Sequence, residues 1–220
     1  MGEMITLKAS DGFSLPTYIS KPAGTPRGAI VVNMEIFGVN AHIKREADKL
    51  AKQGYVAIAP QFFERFAPGL DTGYTPAEIE KCRANMPKLN WDNTVKDLEA
   101  ALTEAKKYGK VGDVGYCWGG TAAWVCATRF GVPSVGYYGG GVTSMPPADP
   151  KGPVELHFGA QDKMIPLDGV NKFQHAHPEV PIFVYEADHG FNCDERPSYN
   201  KKAADIALQR TLAFFAQHVG

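Results

Sequence analysis

From Met4 to Lys8 and from Phe13 to Ile19 the chain alternates loosely between apolar and polar positions, with Asp11-Gly12 between the two stretches. That pattern predicts an antiparallel hairpin. Beyond Pro22 to Arg27 it gives way to nearly unbroken apolar runs at 29–34, 55–59, 113–116, 134–138, 154–158 and 182–186. Runs of this length without a polar face are expected of strands covered on both sides in a parallel sheet. Helical periodicities lie between them. Val95, Leu98, Leu102 and Ala105 share one face behind Asn90 or Asp92 as a candidate N-cap, and Ala204, Leu208, Leu212 and Phe215 predict a closing helix.

Strand and helix therefore alternate along the chain. This predicts an α/β fold with a doubly wound, mostly parallel sheet, helices on both faces and right-handed crossovers. With no internal repeat and no long linker, residues 1–220 read as one domain. The stretch 62–89, with Pro68, Gly69, Gly73, Pro76 and Pro87, is the least regular and is expected to supply a lid or substrate wall.

Composition narrows the function classes. The chain has 23 Lys and Arg against 24 Asp and Glu, so no global field favours nucleic acid or an anionic membrane surface. No segment approaches the apolar length of a membrane span, and the first residues are too polar for a signal peptide, so neither membrane insertion nor export is expected. The four cysteines, Cys82, Cys117, Cys126 and Cys193, form no C-x-x-C pair, which fits reduced thiols in a cytoplasm. Cysteine and histidine occur without metal-ligand spacing, and Gly139-Gly140-Gly141 lacks the context of a nucleotide-binding loop. No metal and no cofactor is expected; a small molecule is the expected partner, and the oligomeric state is left open.

The strongest chemical signal is Gly115-Tyr116-Cys117-Trp118-Gly119-Gly120, between an apolar run and a helical stretch. A G-x-C-x-G sequence there has the form of a nucleophile elbow, in which flanking glycines permit a sharp strand-to-helix turn. Cys117 would stand at its tip, beside a helix N-terminus that favours a thiolate, with the Trp118 amide facing a developing oxyanion. A buried structural cysteine beside a glycine turn is the plainer reading of this hexapeptide alone. Asp162 follows the run 154–158 and His189 follows the run 182–186, each just past a strand end. In open α/β folds such positions build the site. Either residue alone is an ordinary loop residue, but nucleophile, acid and histidine in this chain order form the expected triad of an α/β-hydrolase.

With Met34-Glu35-Ile36-Phe37-Gly38, the cysteine hexapeptide and His189-Gly190-Phe191 in hand, the chain resembles the dienelactone hydrolase (carboxymethylenebutenolidase) family over nearly its whole length. The resemblance implies an ester or lactone substrate, Cys117 as nucleophile, His189 as base and Asp162 as the orienting group. It also implies an oxyanion hole from the amides of Ile36 and Trp118, a Glu35 that approaches the resting cysteine and disfavours its thiolate, and a Phe37 that lines the pocket. Arg65 resembles a family arginine that binds a substrate carboxylate. A second family arginine, four positions beyond the histidine, is replaced here by Cys193, with Arg196 the nearest substitute. Competing readings are a general small-ester or thioester hydrolase, a thiol redox sensor, and a non-catalytic ligand-binding module on the same scaffold.

Overall fold

The structure is a computed structural model that describes residues 2–146 and 148–220. These group into two compact units, one running to Gly112 and including Val219, the other spanning Asp113–His218 with Gly220.

In the first unit the expected hairpin forms from β1 (Glu3–Lys8) and β2 (Ser14–Ser20), with Lys8 opposite Ser14. The strand order is β1-β2-β4-β3; β2 runs antiparallel to β4 (Tyr55–Pro60), and β4 runs parallel to β3 (Gly28–Asn33). Every residue of β3 and β4 is buried, as their unbroken apolar runs require. The crossover between them is α1 (Ala41–Lys52), which starts where the Asn40 side chain accepts the Ile43 amide at 3.2 Å and buries Ile43, Ala47 and Leu50. The helix α3 (Trp91–Ala105) starts at Asn90 rather than Asp92, because the Asn90 side chain accepts the Asn93 amide at 3.2 Å.

Much of the irregular stretch 62–89 is ordered locally. A 3-10 turn spans Phe62–Arg65, and α2 (Pro76–Arg83) opens on a reciprocal capping box between Thr75 and Glu78. The segment before α2 is strapped to the turn after β3. Thr72 N donates to Phe37 O at 3.1 Å, Gln61 Nε2 donates to Leu70 O at 2.7 Å, and Gly38 forms a bridge with Asp71. A Cβ at Gly38 would lie 1.8 Å from Leu70 O, so only glycine admits the strap at that point.

The second unit begins within β5 (Val111–Tyr116), and β5, β6 (Ser134–Tyr137), β7 (Val154–Gly159) and β8 (Ile182–Tyr185) are neighbours in that order and all parallel. The helix α4 (Trp118–Phe130) joins β5 to β6 and is buried from Trp118 through Thr128; α5 (Leu167–Ala176) joins β7 to β8. The last helix, α6 (Lys201–His218), turns a different face inward from the expected one. Ala203, Ala204, Ala207, Thr211, Phe214 and Phe215 are buried, whereas Leu208 and Leu212 are only half-buried.

A polar network inside the fold accounts for that rotation. Thr211 Oγ1 shares a 2.7 Å hydrogen bond with Tyr137 Oη and lies 3.4 Å from His157 Nε2. His157, fully buried in β7, also bonds Tyr185 Oη at 2.8 Å through Nδ1 and lies 2.9 Å from a Glu155 oxygen. Burial holds its pKa below the ordinary imidazole value. A leucine facing this network would leave buried polar atoms unpaired, a cost exceeding what one more apolar contact returns.

Among the described residues no helix is long and apolar enough to cross a membrane. Replacing the inward hydroxyl should therefore cost more than trimming a leucine. Thr211→Val is expected to lower unfolding free energy by about 1–3 kcal/mol, more than Leu208→Ala, in urea denaturation monitored by circular dichroism.

Candidate active site

Cys117 sits between β5 and α4 with φ 56° and ψ −115°, a conformation that side-chain-bearing residues rarely adopt. Close backbone packing holds it there. A Cβ at Gly115 would lie 1.8 Å from Gly119 O, and one at Gly120 would lie 2.5 Å from Tyr137 O, so both positions exclude any larger residue. Cys117 N donates to Tyr137 O at 3.0 Å, fixing the turn to the end of β6. Trp118 is the first residue of α4, so its amide lies at the positive end of the helix dipole, and no acidic residue occupies that first turn.

The expected triad is brought together in this unit. His189 Nε2 lies 3.1 Å from Cys117 Sγ, and His189 Nδ1 lies 2.7 Å from Asp162 Oδ2. The second Asp162 oxygen accepts the amides of Met164 at 2.8 Å and Ile165 at 3.2 Å, which fixes the carboxylate in its loop after β7. Asp162 and His189 are buried, whereas Cys117 is partly exposed, so the sulfur is the member open to a reagent. The Tyr138 ring packs edge-on to the imidazole at a centroid distance of 5.2 Å. Burial alone would lower the His189 pKa, but charge on the Cys117 sulfur and the bond to Asp162 outweigh it and push the pKa up to about 10. His189 is thereby held protonated well above neutral pH.

The remaining predicted residues lie in the first unit. Glu35, Ile36 and Phe37 follow β3; Glu35 and Phe37 are buried and Ile36 is partly exposed. Tyr74 Oη donates to Glu35 Oε2 at 2.7 Å, and the Tyr74 ring meets Phe37 edge-on at 4.7 Å. Tyr74 was not among the predicted residues. It lies 39 positions from Glu35 in an irregular stretch, and no periodicity links the two.

Arg65, expected to anchor a substrate carboxylate, is hydrogen-bonded here to carboxylates of the protein itself. Its Nε and Nη2 donate to the two Asp97 oxygens at 2.8 Å each, and Nη1 and Nη2 donate to Asp11 at 3.0 and 3.2 Å. The guanidinium also stacks 4.1 Å above the Phe13 ring. The Asp97 side chain is fully buried. Burial pushes its carboxyl pKa up against the opposing guanidinium, while the bond from Arg65 holds the Asp11 carboxyl at about 2. Releasing Arg65 to a substrate would leave a buried carboxylate uncompensated. Arg196, in the second unit, packs beside the histidine loop: a Cβ on Gly190 would lie 2.5 Å from its Nη1.

The dienelactone hydrolase family model matches residues 15–219. The carboxymethylenebutenolidase of Pseudomonas putida is 35% identical over 229 residues, covering 97% of this chain and 96% of the relative. A crystal structure from Klebsiella pneumoniae, of a candidate dienelactone hydrolase, superposes with a TM-score of 0.86 at 30% identity and covers 99% of this chain and 98% of its own. The Thermogutta terrifontis esterase with bound propionate shares the fold at 16% identity, with a TM-score of 0.66 and coverage of 98% and 94%. The α/β-hydrolase architecture expected from the alternating strands and helices is the one these structures share.

Two measurements test this geometry. In an NMR titration His189 should hold its proton toward pH 10 in the wild type and lose it at lower pH in both Cys117→Ala and Asp162→Asn. Because the folded pKa is the higher one, the linked stability is fully present below about pH 6.5 and is lost as pH rises through about 10. Arg65→Ala is expected to lower unfolding free energy by about 3–5 kcal/mol in denaturant titration. Any loss of kcat/KM should be equal for acidic and neutral esters; a selective loss for acidic substrates would restore Arg65 as an anchor.

Proposed function

We propose cysteine-dependent hydrolysis of a lactone or small carboxylic ester for this chain, which belongs to the dienelactone hydrolase family and is a hydrolase of that family. The observation that carries the mechanism is the hydrogen-bonded series Cys117, His189 and Asp162, with distances of 3.1 and 2.7 Å, at a strained turn heading α4. A negatively charged Cys117 sulfur attacks the carbonyl carbon. The oxyanion is received by the Trp118 amide at the head of α4. The tetrahedral intermediate collapses to a thioester as the alkoxide leaves, taking the imidazolium proton from His189. Water then attacks the thioester while neutral His189 accepts its proton, releasing the carboxylic acid and regenerating the thiolate–imidazolium pair. Asp162 holds the imidazole orientation throughout.

The substrate is dienelactone-like in its reacting group, and a specific observation favours a broader ester or thioester range. A carboxylate-bearing dienelactone needs a cationic anchor, yet Arg65 is clasped by Asp97 and Asp11, and buried Cys193 stands in place of a second arginine. Arg196, packed against Gly190, is the cation nearest in sequence to His189. A thiol sensor is less well supported, because Cys82, Cys126 and Cys193 are all buried. Soluble operation in a cytoplasm completes the proposal, consistent with ordinary charge and reduced thiols.

Cys117→Ala should fold and lose at least ~10³-fold in kcat. A rapid quench of wild type with an activated ester, followed by intact-mass analysis, should show one acyl adduct that maps to Cys117. Full turnover by the folded Cys117→Ala variant would remove the proposal.

A further inference from the structure

Between β8 and α6, wholly within the second unit, lies a cleft of about 300 Å³ that Cys117, Asp162 and His189 do not line. Its wall on α6 is one stripe, in which Ala203, Ile206 and Arg210 recur at helical spacing behind Asn200. Asn200 ties the two walls together. Its Oδ1 accepts the Ala203 amide at 3.1 Å and its Nδ2 donates to Glu186 O at 3.0 Å, which fixes the start of α6 to the end of β8. Arg210 is held in place from the strand side: its guanidinium stacks on the Phe183 ring at 3.9 Å, and Nη1 donates to Tyr185 Oη at 2.9 Å. The Tyr185 hydroxyl proton is directed inward, to His157 Nδ1 at 2.8 Å. A guanidinium carries five N–H donors, and here a neutral phenol takes one of them. Among the described residues no ion pair includes Arg210, Lys202 or Glu186, all of which line the cleft. Two cations against one carboxylate leave it a net positive charge.

We infer that this cleft binds a small monocarboxylate with an apolar body, its carboxylate on Arg210 and its body against Ile206, Ala203 and Val184. The head group follows from the fork of uncommitted N–H donors, which matches a carboxylate in two parallel charge-assisted hydrogen bonds. Stacking on Phe183 and the bond to Tyr185 hold the guanidinium plane before the ligand arrives, so little side-chain freedom is lost on binding. Arg210 therefore meets the condition that Arg65 does not: it is fixed in place and still lacks an anion. The apolar body follows from the walls, since Val184 is 46% exposed and Ile206 is half-buried beside the cation. Glu186 sets the charge of the ligand. A carboxylate on the rim repels a second negative charge, so a monoanion is accepted and a phosphate is disfavoured. The volume lies at the lower end of the range for ligand pockets, which suits a molecule the size of benzoate.

The experiment titrates sodium benzoate into the isotope-labelled full chain at constant ionic strength and follows the backbone amide shifts of residues 182–186 and 200–210 by NMR. Sodium acetate and inorganic phosphate are the comparisons, and thermal melts confirm that each variant is folded. Benzoate is expected to give saturable shifts in these two segments, acetate to bind there more weakly, and phosphate not to saturate. Arg210→Gln should weaken benzoate by at least ~10-fold, the loss of a charge-assisted pair. Glu186→Gln should tighten benzoate and admit phosphate, and Ile206→Ala should weaken benzoate while leaving acetate unchanged. These last two variants decide the matter if Arg210→Gln does not fold. Absence of saturable benzoate shifts in the two segments would overturn the inference. Phosphate binding as tightly as benzoate in the wild type would reduce the cleft to a non-selective anion surface, and equal affinity for benzoate in wild type and folded Arg210→Gln would remove the guanidinium from it; either result also overturns the inference.

Discussion

A single strained turn organises the chemistry of this chain. At Cys117 the backbone must leave β5 and enter α4 without an intervening loop, and the residue at the corner takes a positive φ. Such a conformation costs of order 1–3 kcal/mol and survives only where its surroundings permit no alternative. Here those surroundings are backbone against backbone. Gly115 lies against Gly119, Gly120 lies against the end of β6, and the Cys117 amide is bonded to Tyr137 O. What the strain returns is geometry: a sulfur at the tip of the turn, partly exposed and at the head of a well-buried helix.

The electrostatics around that turn follow from where carboxylates are placed in the second unit. Asp162 has one oxygen on the imidazole and the other on two loop amides, so its carboxylate is fixed in direction. His189 is buried, which by itself would favour the neutral ring, yet the sulfur and Asp162 together overcome that penalty. The first unit uses the same chemistry for a different purpose. Asp97 is as deeply buried as Asp162, but it meets a guanidinium that it shares with Asp11, and the result is an ion-pair cluster that ties α3 to the β1–β2 turn.

This contrast explains which parts of the site were legible in the sequence. That Cys117, His189 and Asp162 meet could be anticipated because each follows an apolar run, and strand ends are recognisable from pattern alone. The start of α3 was legible only as Asn90 or Asp92, and the side-chain bond to the Asn93 amide selects the first. The ion pairs of Arg65 were not legible, because a guanidinium looks the same in sequence whether it waits for a ligand or is clasped by Asp11 and Asp97, which lie 54 and 32 positions away. Tyr74 was missed because its partner is equally remote. The inward face of α6 was misread because leucines outweigh threonine in any apolar count, whereas in the folded chain a buried hydroxyl had polar partners waiting.

The same reasoning bears on substrate choice. A site selects an anionic substrate when a cation is left under-satisfied until the substrate arrives, because the charge-assisted bond then forms at little cost to the protein. Arg65 fails that condition, since it already donates four hydrogen bonds to carboxylates and stacks on an aromatic ring. An anionic lactone could draw on this guanidinium only by displacing carboxylates that it already satisfies. The chain thus brings Cys117, His189 and Asp162 together in one unit and commits the Arg65 guanidinium to an ion-pair cluster in the other.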